Sequence, residues 1–175
     1  KLYLLSKYII QDKKVSSLDI LCNDDYNSLA VSDKWGTITL YELPKLEFMY
    51  GNAGHLSIVN HIMFDKYGHY LISCDKDFKI RISRYPKPYI IESFCYGHEQ
   101  AITVFDLIYY NKYGYIVSGS VDGSIKIWSI PNGNLLNSIQ FSSKDNDGMI
   151  KMDTDLCVGN KVLNDEPIII TKLKC

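Results

Sequence analysis

The chain has 175 residues, of which 46% are hydrophobic and 13% aromatic, and its formal net charge at pH 7 is −1. These values are typical of a globular protein with one sizeable core, and they argue against a surface that is basic throughout, as a nucleic-acid coat would be. No apolar run approaches the roughly 20 residues of a membrane-spanning helix, so we expect no membrane partner.

Three segments share one pattern: an apolar strand, a short polar turn and a strand of alternating apolar residues. They are residues 28–43, 70–85 and 115–130. Two markers recur at nearly the same period, because Asp77 and Asp122 lie 45 residues apart and the pairs Gly54-His55 and Gly97-His98 lie 43 residues apart. Such a recurrence indicates one supersecondary unit that is used several times.

Alternation with a period of two residues makes these units β rather than α. Each unit continues into a fourth strand, predicted at residues 47–50, 89–96 and 135–141. Four short antiparallel strands in about 43 residues are typical of one blade of a β-propeller, so we predict an all-β fold. The predicted blades are about 15–50, 51–96 and 97–141.

The third unit resembles a WD repeat. Gly97-His98 is followed by a strand, a turn and a strand at 118–128 that ends in tryptophan, and only Ser129 departs from the family pattern, which ends in aspartate. The second unit keeps the glycine-histidine pair but has Ser83 at the position of the tryptophan, and the first keeps only the strand pattern. The resemblance covers roughly residues 15–141 and implies a WD-repeat β-propeller.

WD propellers resemble closed rings, most often of seven blades, so three to four units cannot close one. The chain also begins with Lys1, inside an apolar run at residues 2–10, rather than with Met. We therefore expect either a piece of a longer protein or further blades that are supplied elsewhere. In the tail, residues 142–175, we predict a loop at 142–147 and the first strand of a further blade at 168–170.

The third unit contains the residue types of a hydrolase triad in Ser118, His98 and Asp122. The same types recur in the second unit, and a nucleophile that is duplicated in successive repeats would be unusual. Buried polar groups need hydrogen-bond partners, so a network that fixes the blade geometry is the simpler interpretation. The predicted structural network consists of His55, Ser73, Asp77, His98, Ser118, Asp122 and Trp128.

Other patterns that carry chemistry are absent from the sequence, which has no G-x-S-x-G, P-loop or G-x-G-x-x-G motif. Asp75 and Asp77 are close enough to suggest a carboxylate pair, but such residues on a tight turn more often cap the backbone. The cysteines are odd in number and include no C-x-x-C pair, so we expect free thiols. We predict no catalytic residue and no metal ligand on this chain.

A basic stretch crosses the second unit. Five basic residues fall within the twelve residues from Lys76 to Lys87, and Lys79 and Arg81 leave the predicted strand on one face. A guanidinium at this place can hold the carboxylate of a partner in bidentate fashion. The alternative is that alternating charge simply solvates an exposed strand, and Lys126 at the matching position of the third unit leaves this alternative open.

Three segments of the second blade and its flanks narrow the resemblance from WD repeats in general to one WD-repeat family. They are residues 54–57, 75–86 and 89–98. They are similar to the WD-repeat non-catalytic subunit of the tRNA (guanine-N7)-methyltransferase. That family shows a G-H-x-S-M-x-x-D start, a D-R-D-E-K-I-R-V-S-like strand and an I-E-S-F-C-x-G-H-like strand. Most other WD proteins lack the S-R-Y-P and I-E-S-F-C segments, and the match covers about 45 residues in one blade and its flanks.

This resemblance implies a scaffold without catalytic activity of its own. The family's partner is a separate Rossmann-like methyltransferase that binds S-adenosylmethionine and methylates a guanosine in the tRNA variable loop, so this chain needs no cofactor. The resemblance implies a heterodimer with that subunit, contact with tRNA through the complex, and a nuclear location, with the cytoplasm as an alternative. By analogy Arg81 pairs with an acidic group on the partner and Lys79 and Arg84 flank it, while Phe78 stands where the family often has an acidic residue.

Three other functions stay open from the sequence. Another WD scaffold, such as a ubiquitin-ligase adaptor or a ribosome-assembly factor, shares the fold but not the segment at 75–98. An enzyme that uses His98, Asp122 and Ser118 needs a serine that its substrate can reach. Direct RNA binding by the basic strand predicts an RNA affinity that falls steeply with salt.

Overall fold

The computed structural model describes residues 14–51 and 54–141 and, for the backbone only, residues 152–153. This part of the chain consists of strands joined by turns, and none of its residues lies in a helix long and apolar enough to cross a membrane. The strands are β1 (Val15–Cys22), β2 (Asn27–Asp33), β3 (Ile38–Glu42), β4 (Glu47–Tyr50), β5 (Val59–Phe64), β6 (Tyr70–Asp75), β7 (Ile80–Arg84), β8 (Ile91–Cys95), β9 (Ile102–Tyr110), β10 (Tyr113–Ser120), β11 (Ser124–Ile130), β12 (Leu135–Phe141) and β13 (Met152–Asp153).

The strands form three antiparallel sheets, and each sheet follows the order of the chain. The first sheet contains β1 to β4 and the second β5 to β8; the third contains β9 to β12, and the short strand β13 pairs with β12 at its outer edge. This is the four-stranded blade arrangement of a propeller, so the predicted all-β fold is confirmed. The prediction did not include β13, and the strand predicted at 168–170 lies outside the described residues.

A tight turn joins the second and third strands of every blade. In the first blade Asp33 accepts two backbone N–H groups of this turn at 2.7 and 2.9 Å, and in the second Asp75 does so at 3.0 and 3.2 Å. Each turn contains one residue with a positive φ, which is Gly36 (88°), Phe78 (70°) and Gly123 (78°) in the three blades. Glycine adopts this left-handed conformation without a steric cost, whereas phenylalanine does not.

Each joint between neighbouring blades has its own apolar core. Because Leu71 belongs to one core and Ile72 to the other, β6 is covered on both faces. The core between the first and second blades contains Leu21, Ala30, Ile38, Leu40, Val59, Ile62, Phe64, Leu71 and Tyr85. The core between the second and third blades contains Ile72, Cys74, Ile80, Ile82, Cys95, Ile102, Phe105, Ile116 and Trp128.

The same stacking of blades covers both faces of β7. Ile80 and Ile82 lie on one face and Arg81 and Ser83 on the other, as the alternation predicts, but Arg81 is only 8% exposed and Ser83 only 1%. The polar face lies in the joint with the first blade rather than in water. The alternative in which the charges of this strand simply solvate an exposed surface is therefore wrong for Arg81.

Polar contacts also cross both joints. The hydroxyls of Ser28 and Tyr85 lie 2.5 Å apart, and the carboxylate of Asp19 accepts the backbone N–H of Phe64 at 2.7 Å. Across the second joint, the side-chain amide of Asn60 donates to a backbone carbonyl of β9 at 2.7 Å. These contacts pair groups that burial removes from water, and so they favour one relative arrangement of the blades.

Cys74 and Cys95 are buried in the second joint, and Cys22 is exposed. All three are free thiols, as predicted; the other two cysteines lie outside the described residues. Burial raises the pKa of Cys74 and that of Cys95 to about 12. Both buried thiols are therefore uncharged packing residues at neutral pH.

Replacing Phe78 by glycine and by alanine measures the cost of its left-handed backbone. Both substitutions remove the ring, but only glycine also removes the clash between Cβ and the neighbouring backbone. We expect Phe78→Gly to unfold with a free energy about 1 kcal/mol higher than that of Phe78→Ala. Urea denaturation compares the two variants, and equal stabilities would show that the turn avoids the left-handed conformation.

Candidate partner-binding rim

The three tight turns lie at one end of the sheets, beside the segments that lead into the first strands of the blades. In every blade a backbone N–H of the turn donates to a carbonyl next to that first strand, which fixes the two segments together. The bonds run from Lys34 to Lys14 (3.1 Å), from Lys76 to Ile58 (3.0 Å) and from Val121 to Ala101 (3.0 Å). We call this end, residues 33–37, 54–58, 75–79, 97–101 and 120–124, the tight-turn rim.

The third blade has a hydrogen-bonded network beneath this rim. The indole N–H of Trp128 donates to the hydroxyl oxygen of Ser118 at 2.8 Å, and that oxygen lies 2.7 Å from Nε2 of His98. Nδ1 of His98 lies 3.0 Å from the carboxylate of Asp122, which also accepts two backbone N–H groups. The four side chains that the sequence predicts for this blade thus lie in one chain of hydrogen bonds.

The directions of these bonds fit a neutral imidazole. Because the Ser118 oxygen accepts a hydrogen bond from the indole of Trp128, the Ser118 hydroxyl can donate to Nε2 of His98. The ring proton of His98 then lies on Nδ1, facing Asp122. Burial lowers the pKa of His98, although Asp122 opposes this effect. Burial would raise the pKa of Asp122, but its hydrogen bonds outweigh burial and lower that pKa. At neutral pH the pair is a neutral histidine beside a carboxylate.

Ser118 is enclosed rather than poised for catalysis. It is 0% exposed, and its hydroxyl is engaged by both Trp128 and His98. A nucleophile has to meet its substrate, so this geometry argues against the hydrolase alternative. Within residues 14–51 and 54–141, no group of three His, Cys, Asp or Glu side chains is placed to hold a metal ion.

The second blade repeats the histidine and the serine but takes its carboxylate from a different residue than predicted. Nε2 of His55 lies 2.7 Å from the hydroxyl of Ser73, and Nδ1 lies 2.8 Å from the carboxylate of Asp75. The prediction of Asp77 for this position is therefore wrong. Asp77 is exposed on the tight turn, where its backbone N–H donates to Asp75.

Asp75 can serve the turn and the imidazole at once. One carboxylate oxygen accepts the N–H groups of the turn, and the other faces His55. Burial would raise the pKa of Asp75, but hydrogen bonds from His55 and from the backbone of Lys79 outweigh burial and lower it. The third blade has Ser120 at the matching position, so its carboxylate comes from Asp122, two residues later.

Arg81 is buried beside the network of the second blade and makes two hydrogen bonds of its own. Nε of Arg81 donates to the hydroxyl of Ser83, the residue at the tryptophan position, at 3.1 Å, and Nη1 donates to the carbonyl of Gly54 at 2.6 Å. Burial lowers the pKa of Arg81, and the carboxylate of Asp75 opposes that effect. The guanidinium, predicted to contact a partner, thus braces the rim segment at Gly54 from inside the joint.

The other two predicted cations, Lys79 and Arg84, lie at different places. Lys79 is on the tight-turn rim, with its side chain 30% exposed and its ammonium nitrogen 3.9 Å from the carboxylate of Asp75. Arg84 lies at the opposite end of β7, where its guanidinium donates to Glu92 on β8. The three residues predicted to bind a partner therefore do not form one charged patch.

Two glycines bring the first and second blades together at the rim. The backbone N–H of His55 donates to the carbonyl of Gly36 at 2.7 Å. A Cβ atom on Gly54 would lie 1.7 Å from that same carbonyl oxygen, so a larger residue cannot be placed there unless the backbone shifts. The rim segment of the second blade is thereby fixed against the tight turn of the first.

Sequence reasoning missed two exposed apolar side chains on the rim. Trp35 lies in the first tight turn and is 73% exposed, and Leu56 in the neighbouring segment is 101% exposed. The signal was an aromatic residue and a leucine within otherwise polar connecting segments, where packing does not require them. The prediction also overlooked Asp33, which gives the first blade the same turn as the second.

Comparison with known proteins gives the family. A family model described as "tRNA methyltransferase TRM82 WD40 domain" matches residues 49–163, which is more than half of the chain. The chain belongs to this family. The match extends well beyond the segments on which the sequence resemblance was based.

Curated relatives bear the name that the resemblance implied. The tRNA (guanine-N(7)-)-methyltransferase non-catalytic subunit wdr4 of Dictyostelium discoideum is 34% identical over 157 residues, which are 79% of this chain and 33% of the relative. The wdr4 subunit of Xenopus laevis is 32% identical over 118 residues, 67% of this chain and 30% of the relative. The wuho subunit of Drosophila melanogaster is 32% identical over 121 residues, which are 69% of this chain and 28% of the relative. The resemblance is confirmed, and the chain spans about a third of the length of these relatives.

Solved structures agree with the fold. The crystal structure of the RRP9 WD40 repeats has a TM-score of 0.63 at 20% identity and covers 77% of this chain and 41% of that chain. The computationally designed Ika4 protein has a TM-score of 0.61 at 22% identity, and the match covers 82% of this chain and 92% of Ika4. At such identities the likeness concerns the fold alone, and it supports the WD-repeat architecture.

The variants Asp75→Asn and Asp77→Asn distinguish the observed network from the one predicted from sequence. We expect Asp75→Asn to lower the free energy of unfolding by about 2 kcal/mol, because it weakens charge-assisted hydrogen bonds to buried groups. Asp77→Asn should change it by less than about 0.5 kcal/mol, because the side chain is exposed. Urea denaturation of both variants at neutral pH measures the difference, and a larger effect at position 77 would reverse the assignment.

Proposed function

We propose that the chain is part of a non-catalytic WD-repeat scaffold subunit of a tRNA (guanine-N7)-methyltransferase. In this role it binds the catalytic subunit as a heterodimer, stabilises it and supports formation of N7-methylguanosine in the variable loop of tRNA. The observation that carries the proposal is the family match over residues 49–163, together with relatives named as such subunits. The word non-catalytic in those names implies a separate catalytic subunit.

The geometry supports a scaffold because the tight-turn rim is ordered before a partner arrives. Backbone hydrogen bonds join its segments, and buried networks hold His55 and His98 beneath it. A surface that is ordered in advance loses little conformational entropy on binding, so more of the contact energy appears as affinity. A catalytic subunit that is held against such a surface loses less conformational entropy when tRNA binds.

Among the three cations predicted to bind a partner, we assign direct contact to Lys79. Its ammonium group lies on the rim, 3.9 Å from Asp75, so a partner's carboxylate can compete for it. Arg81 would act indirectly, because its guanidinium holds the carbonyl of Gly54. Arg84 would first have to leave Glu92, at the other end of the strand.

In this proposal the methyl donor belongs to the catalytic subunit. S-adenosylmethionine binds there, tRNA meets the complex rather than this chain alone, and this chain has no cofactor or membrane partner. The enclosure of Ser118 supports a chain that contributes no chemical step. We place the complex in the nucleus, with the cytoplasm as the alternative.

The test is to purify the protein alone and together with the catalytic methyltransferase subunit of the same organism. Transfer of a labelled methyl group from S-adenosylmethionine to tRNA is then measured. We expect the protein alone to be inert, the two subunits to co-purify, and the pair to methylate faster than the catalytic subunit alone. Turnover by the isolated protein, or failure of the two to associate, would overturn the proposal.

Lys79→Glu tests the assigned contact in the same complex. Reversal of the charge replaces attraction by repulsion, so we expect the dissociation constant to rise about tenfold. Lys112→Glu makes the same change of charge in the turn between β9 and β10, at the opposite end of the sheets, and should leave affinity unchanged. Isothermal titration calorimetry measures both variants, and equal affinities would remove Lys79 from the interface.

A further inference from the structure

Three apolar side chains stand on the tight-turn rim of the first two blades. Trp35 is 73% exposed, Leu56 101% and Phe78 42%. Single exposed apolar residues are ordinary on protein surfaces, but several of them on one edge are typical of an interaction site. We call Trp35, Leu56 and Phe78 the apolar group.

Backbone contacts hold the segments of the apolar group together. A Cβ atom on Gly36 would lie 2.4 and 2.6 Å from the carbonyl oxygens of His55 and Ser57, the two neighbours of Leu56. The backbone N–H of Lys76 donates to the carbonyl of Ile58 at 3.0 Å, which ties the turn that contains Phe78 to the same segment. The backbone segments that carry the three side chains are therefore in direct contact with one another.

The conformation of Phe78 indicates that its side chain is not there for the fold. Its φ of 70° occurs at a position where the first and third blades have glycine, so phenylalanine makes this turn less stable than glycine would. Its ring does not recover that cost by full burial, because Phe78 is 42% exposed. Strained residues of this kind cluster at active sites, ligand clamps and switch regions.

Exposed charge on the same two turns is mainly positive. The carboxylates of Asp33 and Asp75 are turned inward, and these residues are 1% and 0% exposed. Within the turns at 33–37 and 75–79, Asp77 is then the one exposed acidic residue. The basic residues beside the apolar group are Lys34, Lys76 and Lys79.

We propose that the apolar group is the anchor for the catalytic methyltransferase subunit, and that it receives an apolar segment bordered by aspartate or glutamate. This inference rests on the proposed function and adds the chemistry of the surface that the partner presents. Burial of Trp35 and Leu56 supplies most of the affinity, because removal of apolar surface from water is the dominant favourable term in most protein association. The lysines select the acidic borders and set the orientation of the partner.

The test uses Trp35→Ser, Leu56→Ser and Phe78→Gly in the protein purified with its catalytic subunit. Leu56 is fully exposed and glycine suits the turn at position 78, so at least two of these variants keep the fold, which thermal unfolding verifies. We expect each variant to raise the dissociation constant about tenfold or more. The loss should be similar at about 0.1 M and about 1 M salt, because apolar contacts are not screened.

A control variant and a charge variant complete the experiment. Tyr113→Ser removes an aromatic side chain that is 55% exposed at the opposite end of the sheets, and it should leave binding unchanged. Lys76→Glu should weaken binding at low salt and lose most of that effect at high salt. If the wild-type protein binds and the three apolar variants bind equally well, the inference is wrong while the proposed function stands. If the wild-type protein does not bind, the proposed function itself fails.

Discussion

A buried imidazole needs a hydrogen-bond partner for each of its two ring nitrogens, and this requirement organises both blades that contain the glycine-histidine pair. His55 finds its partners in Ser73 and Asp75, and His98 in Ser118 and Asp122. Each histidine belongs to the segment before the first strand of its blade, whereas the partners belong to later strands and turns of that blade. Pairing of the ring therefore ties the segment to the sheet, and the order of the tight-turn rim depends on it.

The fold and the network of the third blade were predictable because both follow from patterns within one repeat of the sequence. Alternation along each strand and the recurrence of Gly54-His55 and Gly97-His98 are enough to place three blades. Spacing could not predict which carboxylate faces His55 in the second blade, because Asp75 and Asp77 lie in the same turn, only two residues apart. Only the position of the imidazole shows that Asp75 faces it.

The burial of individual side chains was the other feature that the sequence did not predict. Alternation tells which side chains of β7 share a face, but it does not tell what covers that face. The sequence therefore led to a contact between Arg81 and a partner, whereas the joint with the first blade encloses Arg81. Trp35 and Leu56 present the opposite case. Both are visible in the sequence, yet their exposure depends on the fold. Trp35 lies in a tight turn whose aspartate points inward, and Leu56 lies in the rim segment that is held beside this turn.

The hydrogen bonds of Arg81 affect how assembly of the proposed complex can be studied by mutation. A charge reversal at that position would release the hydroxyl of Ser83 and the carbonyl of Gly54 within the free protein, before any partner is present. Loss of the complex after such a change would then combine a loosened rim with a missing intermolecular contact. An Arg81 phenotype cannot be attributed to an intersubunit ion pair unless the unbound variant is shown to keep its shape.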